Sequence, residues 1–131
     1  MVLDTNIIVS MMLKKHSTSG AEVQLCLLGE LVPVMNKHIL QEYSEVLSRP
    51  KFMFPQDIVR GVLAGLVENA DFIEAESVSV DFVDASDKIF YEVALTYRKQ
   101  AETFLVTGNL RHFPNEDFIV SPREMLNLLR A

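Results

Sequence analysis

The sequence predicts an α/β fold made of βαβ units around a parallel sheet. Short apolar runs alternate along the chain with longer segments in which apolar residues recur at the period of a helix. With 131 residues the chain is long enough for one domain, residues 1–131, and too short for two ordinary ones. Apolar residues make up 49% of it and charged residues 23%, which argues against a disordered or low-complexity protein.

Five apolar runs are predicted to be the strands, because turn or helix signals bound each of them. They are Val2–Leu3, Leu31–Met35, Asp71–Ala75, Thr103–Thr107 and Phe118–Val120. Only three residues precede Asp4, so the first strand is very short for a buried position. We therefore expect the chain to begin later than its natural start.

The segments between and after these strands are predicted to be helices. The first begins near Asn6, the second spans Ser19–Gly29 with Gly29 as its stop, and the last begins at Pro122. Apolar stripes of helical period predict the others, Ile39–Leu47, Ile58–Val67 and Ile89–Tyr97. Gly61 and Gly65 lie inside one of these, where each costs about 1 kcal/mol relative to alanine. Close helix packing within the monomer would explain them, and contact in a homodimer is the alternative.

The charge balance limits the classes of partner. Twelve basic and 18 acidic side chains give a net charge of −6, which speaks against broad attraction to nucleic acid. A nucleic-acid role would need several acids gathered in a metal site, because bound cations would then offset their charge locally.

The compartment is predicted from what the sequence lacks. No apolar run approaches the roughly 18 residues of a spanning helix, and "MVLDTN" has no signal-peptide pattern. The single cysteine, Cys26, allows no intrachain disulfide and lies among leucines, so it is predicted to be a core residue. We expect a cytoplasmic protein with no membrane partner.

Polar residues follow two of the predicted strands directly. Asp4, Thr5 and Asn6 follow the first, and Thr107 begins the "TGN" that ends at Asn109. Ligands of a parallel sheet bind beyond the carboxyl ends of the strands, so these groups would share a crevice if their strands are neighbours. The plainer alternatives are that Asp4 caps a helix, for about 1 kcal/mol, and that "GN" only makes a turn.

Three further acids are placed by helical position. Glu42 lies only about 40° outside the apolar arc of its helix, whereas Glu45 lies about 100° outside and points to solvent. Asp84 and Asp87 lie at the start of the next helix but one, where capping is the plainer role. If three or four of these carboxylates converge without a basic partner, they require a divalent cation with oxygen ligands, Mg²⁺ or Mn²⁺.

Four segments together resemble a known family. In this order, "VLDTN", "LQEYSEVLSRP", "DASDKIFYEVA" and "LVTGNLRHFP" are similar to the PIN-domain family, particularly to the VapC-type ribonuclease toxins of toxin–antitoxin pairs. The resemblance implies a three-layer α/β/α sandwich with a central parallel sheet of order 3-2-1-4-5. It also implies an acidic site at the carboxyl edge of the sheet that hydrolyses RNA with Mg²⁺ or Mn²⁺.

The resemblance also assigns roles by motif position. Asp4, Glu42 and Asp87 match the catalytic, metal-binding acids, and Asp84 is an auxiliary metal ligand. Asn109 departs from the family, which often has aspartate there, so we expect one well-bound metal and a weaker second one. The residues that match groups orienting the acids or holding solvent are Thr5, Asn6 and Thr107.

Basic side chains follow the carboxyl ends of three strands and are predicted to bind the RNA phosphates. They are Lys14, Lys15, Lys37, Arg111 and His112. An ordinary charged surface is the alternative. The partners expected for such a protein are RNA, an antitoxin protein and a second copy of the chain.

Two other functions stay open at this point. A PIN-like domain with little catalysis could serve as a binding scaffold, and the neutral Asn109 favours that possibility. A phosphoacceptor receiver module also has acids at strand ends and a divalent metal, but it would need a lysine at the end of the last strand. Neither "LVTGN" nor "FIVSPRE" supplies that lysine convincingly.

Overall fold

Parallel strands and helices alternate along the chain, as the apolar pattern predicts. The structure is a computed structural model that describes residues Met1–Ala131. The strands are Val2–Leu3 (β1), Val34–Met35 (β2), Asp71–Phe72 (β3), Leu105–Val106 (β4) and Ile119–Val120 (β5). The helices are Thr5–Leu13 (α1), Thr18–Leu27 (α2), Lys37–Leu47 (α3), Gln56–Glu68 (α4), Ala85–Tyr97 (α5) and Pro122–Arg130 (α6), with 3₁₀ turns at Pro50–Phe52 and Leu110–His112.

The strands form two parallel ladders. In one, β4 lies between β1 and β5, with Leu3 opposite Val106; in the other, β2 pairs with β3. Two further bonds join the ladders, since the N–H of Val34 donates to the carbonyl of Met1 at 2.8 Å and the Met1 amine donates to the Val32 carbonyl at 2.6 Å. A mixed α/β fold with a parallel sheet is therefore confirmed, while one sheet in the order 3-2-1-4-5 and three layers stay predictions.

Helix boundaries follow local signals in the sequence. Gly29, with a φ of 79°, follows α2 as predicted, and Pro55 directly precedes α4. The last helix begins at Pro122 with a capping box, in which the Ser121 hydroxyl accepts from the N–H of Glu124 and the Glu124 carboxylate accepts from the N–H of Ser121. Such a box satisfies two N–H groups that a helix leaves free at its start.

The core lies between the sheet and the helices on its faces. Val2 and Leu3 of β1 are 0% and 1% exposed, so the shortest predicted strand is also among the most buried. Leu47 and Leu66 bring α3 and α4 onto the same core, and truncation of such a leucine to alanine costs about 2 to 5 kcal/mol. Cys26 is buried and free, as predicted. None of the helices has the length and apolar character needed to cross a membrane.

The two glycines of α4 have different surroundings. A Cβ added at Gly65 would lie 2.7 Å from Cδ2 of Leu27, so α2 packs closely there, as the intramolecular interpretation predicts. A Cβ at Gly61 would meet nothing within 4 Å. Packing inside the monomer therefore explains Gly65 and leaves Gly61 unexplained.

Candidate active site

Asp4 follows β1 and is the first acid of the candidate site. It precedes the first turn of α1, but its carboxylate accepts no capping hydrogen bond from that turn. Instead the hydroxyl of Thr107, which follows β4, donates to Oδ2 of Asp4 at 2.7 Å. The parallel pairing of β1 with β4 brings these two strand ends together. The alternative that Asp4 is a side-chain helix cap is therefore wrong.

The turn after β4 holds the Thr107 hydroxyl in place. The N–H of Asn109 donates to Oγ1 of Thr107 at 3.0 Å, and the N–H of Gly108 donates to Oδ1 of Asn6 at 3.3 Å. Neither Gly108 nor Asn109 has a positive φ, so this turn does not need glycine's left-handed conformation. Asn109 is exposed, and its role as a metal ligand stays a prediction.

Asp87 supplies a second buried carboxylate from the first turn of α5. It is 9% exposed, and its Oδ2 atom is buried without a hydrogen-bond partner. Nδ1 of His112 lies 3.4 Å from that oxygen, within ion-pair distance. Buried oxygens in proteins are nearly always satisfied, and the His112 imidazole is the neighbour placed to satisfy this one.

Asp84 has the capping role that its position predicts. Its carboxylate accepts from the N–H of Ser86 at 3.0 Å and from the Ser86 hydroxyl at 2.8 Å. These hydrogen bonds hold the pKa of the exposed Asp84 below its usual value. Its role as an auxiliary ligand stays a prediction.

Glu42 reaches the same edge from α3. It is half-buried while Glu45 is exposed, as their angles on the helix predict. Burial raises the pKa of Glu42, the charges of Glu45, Asp84 and Asp4 raise it further, and the charge of Arg49 opposes them. Glu42 is therefore close enough to Asp4 and Asp84 for their charges to raise its pKa.

The acids at this edge influence one another's protonation. The pKa of Asp4 is raised to about 6. Burial is the largest cause, the charge of Asp87 adds to it, and the hydrogen bond from the Thr107 hydroxyl opposes it. Burial also raises the pKa of Asp87, together with the charges of Asp84 and Glu42, while His112 lowers it. Asp4, Glu42 and Asp87 therefore have raised pKa values, Asp84 has a lowered one, and the His112 imidazole lies beside Asp87.

The donor set fits a hard divalent cation, although the acids do not form a finished cage. No three His, Cys, Asp or Glu side chains are close enough to hold a metal ion as they stand. The free Oδ2 of Asp87 and the mutual repulsion of the carboxylates are what a bound cation would relieve. Carboxylate and amide oxygens are the ligands that Mg²⁺ and Mn²⁺ prefer.

The predicted basic residues are all exposed but lie in different pockets. His112 and Arg111 line the pocket beside Gly108 and Asn109. Lys37 lines a separate pocket at the end of β2 that also contains Glu74, and Lys14 lines a third between α1, α2 and α6. The structure therefore brings His112 to the acids and does not gather the other basic side chains around them.

Tyr43 is a residue of this region that sequence reasoning placed only in the apolar stripe. It is 1% exposed, and its hydroxyl donates to the carbonyl of Leu3 at 2.6 Å, one residue before Asp4. The bond fixes the end of β1 against α3, which also carries Glu42. Thr5 is buried and its hydroxyl has no partner, while a backbone hydrogen bond from Thr5 lowers the pKa of Asp4, so its orienting role stays a prediction.

The chain was compared with protein families, curated proteins and solved structures. The model of the PIN domain family matches residues 1–111, which include Asp4, Glu42 and Asp87. No curated protein and no solved structure matches the chain. PIN domains are typically nucleases, and they generally use divalent metal ions. The chain belongs to the PIN domain family and has its nuclease-type fold.

Proposed function

We propose that the protein is an endoribonuclease that hydrolyses RNA phosphodiester bonds with Mg²⁺ or Mn²⁺. The observation that carries this proposal is the acidic edge, defined as Asp4, Glu42, Asp84 and Asp87. Its carboxylates come from three different elements, influence one another's pKa, and include a buried oxygen, Oδ2 of Asp87, whose polar neighbour is the His112 imidazole at 3.4 Å. Such an arrangement is costly in a structural role and is typical of sites that bind a divalent cation.

The chain's own residues position the acids. Thr107 donates to one oxygen of Asp4 and is itself held by the N–H of Asn109, so the direction of the Asp4 carboxylate is fixed. Asp4, Asp87 and Glu42 would hold the metal, with Asp84 and Asn109 as further oxygen donors. The bound cation would polarise the phosphate and lower the pKa of the attacking water.

The substrate side of the proposal rests on His112 and Arg111. His112 and Arg111 line the pocket next to Asn109, where they would meet the phosphates beside the scissile bond. Hydrolysis in this arrangement would leave a 5′-phosphate and a 3′-hydroxyl. The sign and position of these charges support RNA as substrate despite the net charge of −6.

The test is cleavage of single-stranded RNA by the purified protein. We expect cleavage with Mg²⁺ or Mn²⁺ and none in chelator. Asp4→Asn and Asp87→Asn should each abolish it while circular dichroism shows an unchanged fold. Cleavage that survives both substitutions, or that persists in chelator, refutes the assigned site.

A binding scaffold with little catalysis is the second candidate. Asn109 favours it, because an amide at this corner brings one negative charge fewer than aspartate to a cation. In that case RNA would bind without being cleaved under any metal condition. The phosphoacceptor alternative is less well supported, because the PIN match favours a nuclease fold.

We further propose that the protein is the toxin of a toxin–antitoxin pair and acts as a homodimer in the cytoplasm. An antitoxin could place a basic side chain against the acidic edge, where the free Oδ2 of Asp87 would accept it. A small reading frame next to the gene whose product binds this chain and blocks RNA cleavage would support this role. Its absence would remove the toxin assignment without affecting the nuclease.

A further inference from the structure

A polar pocket lies where the end of α1 meets the first turns of α2 and α6. Its volume is about 530 Å³, and it is lined by Lys14, Arg123 and a group of hydroxyl side chains. The hydroxyl residues are Ser10, Ser17, Thr18, Ser19 and Ser121. No carboxylate lines it. We call it the hydroxyl pocket.

Ser19 is the feature that indicates a ligand in the hydroxyl pocket. It is 8% exposed and lines the pocket, and its hydroxyl makes no hydrogen bond within the protein. The Ser19 oxygen is not among the fully enclosed polar atoms of the protein, so the hydroxyl is open to the pocket. A ligand with acceptor oxygens would satisfy it.

Backbone donors point to the same chemistry. Ser17 caps α2 by accepting from the N–H of Gly20, which leaves the N–H groups of Thr18 and Ser19 without an acceptor. At the start of α6 the capping box occupies two N–H groups, and the N–H of Arg123 stays free. Free N–H groups at helix starts favour an anion with several oxygens, such as a phosphate.

The pocket adjoins the candidate active site. Ser121 lines both the hydroxyl pocket and the pocket that contains Gly108, Asn109 and His112. The link to the acidic edge runs through that neighbouring pocket, because its His112 contacts Asp87. Ser121 and Arg123 lie beyond residues 1–111, the part of the chain that the family model matches.

We infer that the hydroxyl pocket binds a backbone phosphate of the RNA, on one side of the phosphate that is cleaved. The inference rests on the proposed function for its substrate, and it goes beyond it in naming a separate phosphate site. Lys14 and Arg123 supply the positive charge, and Ser19 with the free N–H groups supplies the hydrogen bonds. RNA is favoured over a free nucleotide because the pocket is open and shares Ser121 with the pocket of His112, which contacts Asp87.

The test is RNA binding in chelator, where cleavage is off. Fluorescence anisotropy of a labelled single-stranded RNA gives Kd at several salt concentrations for the unmodified protein and for Lys14→Gln/Arg123→Gln. Arg60→Gln/Arg130→Gln is the matched control, since both residues are exposed, lie outside the pocket and change the net charge equally. We expect Kd to rise about tenfold more than in the control. The slope of log Kd against log salt should fall by about one.

Ser19→Ala separates the pocket from a long-range charge effect, because it leaves the net charge unchanged. We expect it to weaken RNA binding severalfold. Unchanged Kd for Ser19→Ala, or a charge variant that behaves like its control, overturns the inference. A mononucleotide and inorganic phosphate serve as competitors, and displacement of the RNA by micromolar mononucleotide would assign the pocket to a free nucleotide instead.

The two proposals fail in different ways. If RNA is not cleaved with Mg²⁺ or Mn²⁺ but its binding still depends on Lys14, Ser19 and Arg123, the nuclease proposal is wrong and the phosphate site stands. If RNA is cleaved and the variants bind it normally, the phosphate site is wrong and the nuclease stands.

Discussion

Asp4 and Glu22 are both buried carboxylates with raised pKa values, yet their surroundings differ. Asp4 is 5% exposed, accepts a hydrogen bond from Thr107 and lies near Asp87 and Glu42. Glu22, on α2, is 0% exposed, and neither of its oxygens has a partner. Burial raises the pKa of Asp4 to about 6 and that of Glu22 to about 8.

The comparison teaches that a raised pKa does not by itself identify a site. The acidic edge gathers its carboxylates at the ends of parallel strands and opens to solvent beside His112. Glu22 is enclosed by the core. Burial disfavours its charged form and keeps the carboxyl group protonated at neutral pH. We therefore expect the acidic edge to govern activity and Glu22 to govern stability alone.

The largest expected effect tests whether the acidic edge works as a unit. Glu42→Gln should lower RNA cleavage at least about a hundredfold, because Glu42 helps to hold the metal or orients the attacking water. Glu45 lies three residues further along the same helix and is exposed to solvent, so Glu45→Gln should leave the rate unchanged. Steady-state cleavage with Mn²⁺ measures both. Equal rates for the two variants would remove Glu42 from the site.

The next effect concerns Glu22 and the pH dependence of stability. An acid whose pKa is raised by folding binds its proton more tightly in the folded state. The contribution of Glu22 to stability is therefore greatest below 4.5, the pKa of a glutamate in the unfolded chain. Stability should then fall as the pH rises from about 4.5 to about 8. The loss is on the order of several kcal/mol, since each pKa unit corresponds to about 1.4 kcal/mol.

Glu22→Gln removes that titration and should make the protein more stable than its parent at pH 9. Urea unfolding at pH 5 and pH 9 measures the difference, and RNA cleavage by the variant should match the parent. If the unfolding free energy changes by the same amount between the two pH values in the parent and in the variant, Glu22 has access to solvent or to a partner.

A smaller effect on the free energy of unfolding distinguishes two buried threonines, Thr107 and Thr103. Thr107→Val removes the donor to Asp4 and should lower the free energy of unfolding at neutral pH by about 1 to 2 kcal/mol, while raising the pKa of Asp4. Thr103→Val is the control, because the Thr103 hydroxyl is buried without a partner and its loss should be neutral or stabilising. Both values come from urea unfolding, and equal losses would show that the Thr107 bond adds nothing.

The smallest effect concerns the neutral corner of the site. Asn109→Asp adds a carboxylate next to the turn that holds Thr107, so it should bind Mn²⁺ a few times more tightly than the parent. Calorimetric titration measures this change. Affinity for Mn²⁺ that stays the same would remove Asn109 from the metal site.

The sequence predicted those features that depend on local pattern. The exposures of Glu42 and Glu45 follow from the helical period, and the start of α6 at Pro122 follows from backbone chemistry. The predicted strand runs at β2, β3, β4 and β5 were longer than the observed strands. Some of their outer residues still bond to a neighbouring strand, since the Phe104 carbonyl accepts from the N–H of Val2 and the N–H of Thr107 donates to the Val120 carbonyl.

Features that depend on tertiary contact were not visible in the sequence. Glu22 interrupts an apolar segment and resembles a surface residue, yet α2 buries it completely. His112 reaches Asp87, and Ser19 meets Arg123 in one pocket, only because distant parts of the chain fold onto the same edge. No spacing rule links residues that are brought together in this way.

The central claim is that the acidic edge binds a divalent cation. Calorimetric titration of Mn²⁺ into the parent protein, Asp87→Asn and Glu22→Gln tests it most directly, because binding is measured without reference to RNA. We expect the parent and Glu22→Gln to bind Mn²⁺ alike and Asp87→Asn to lose it. Equal binding by all three proteins, or no binding by the parent, would contradict the claim.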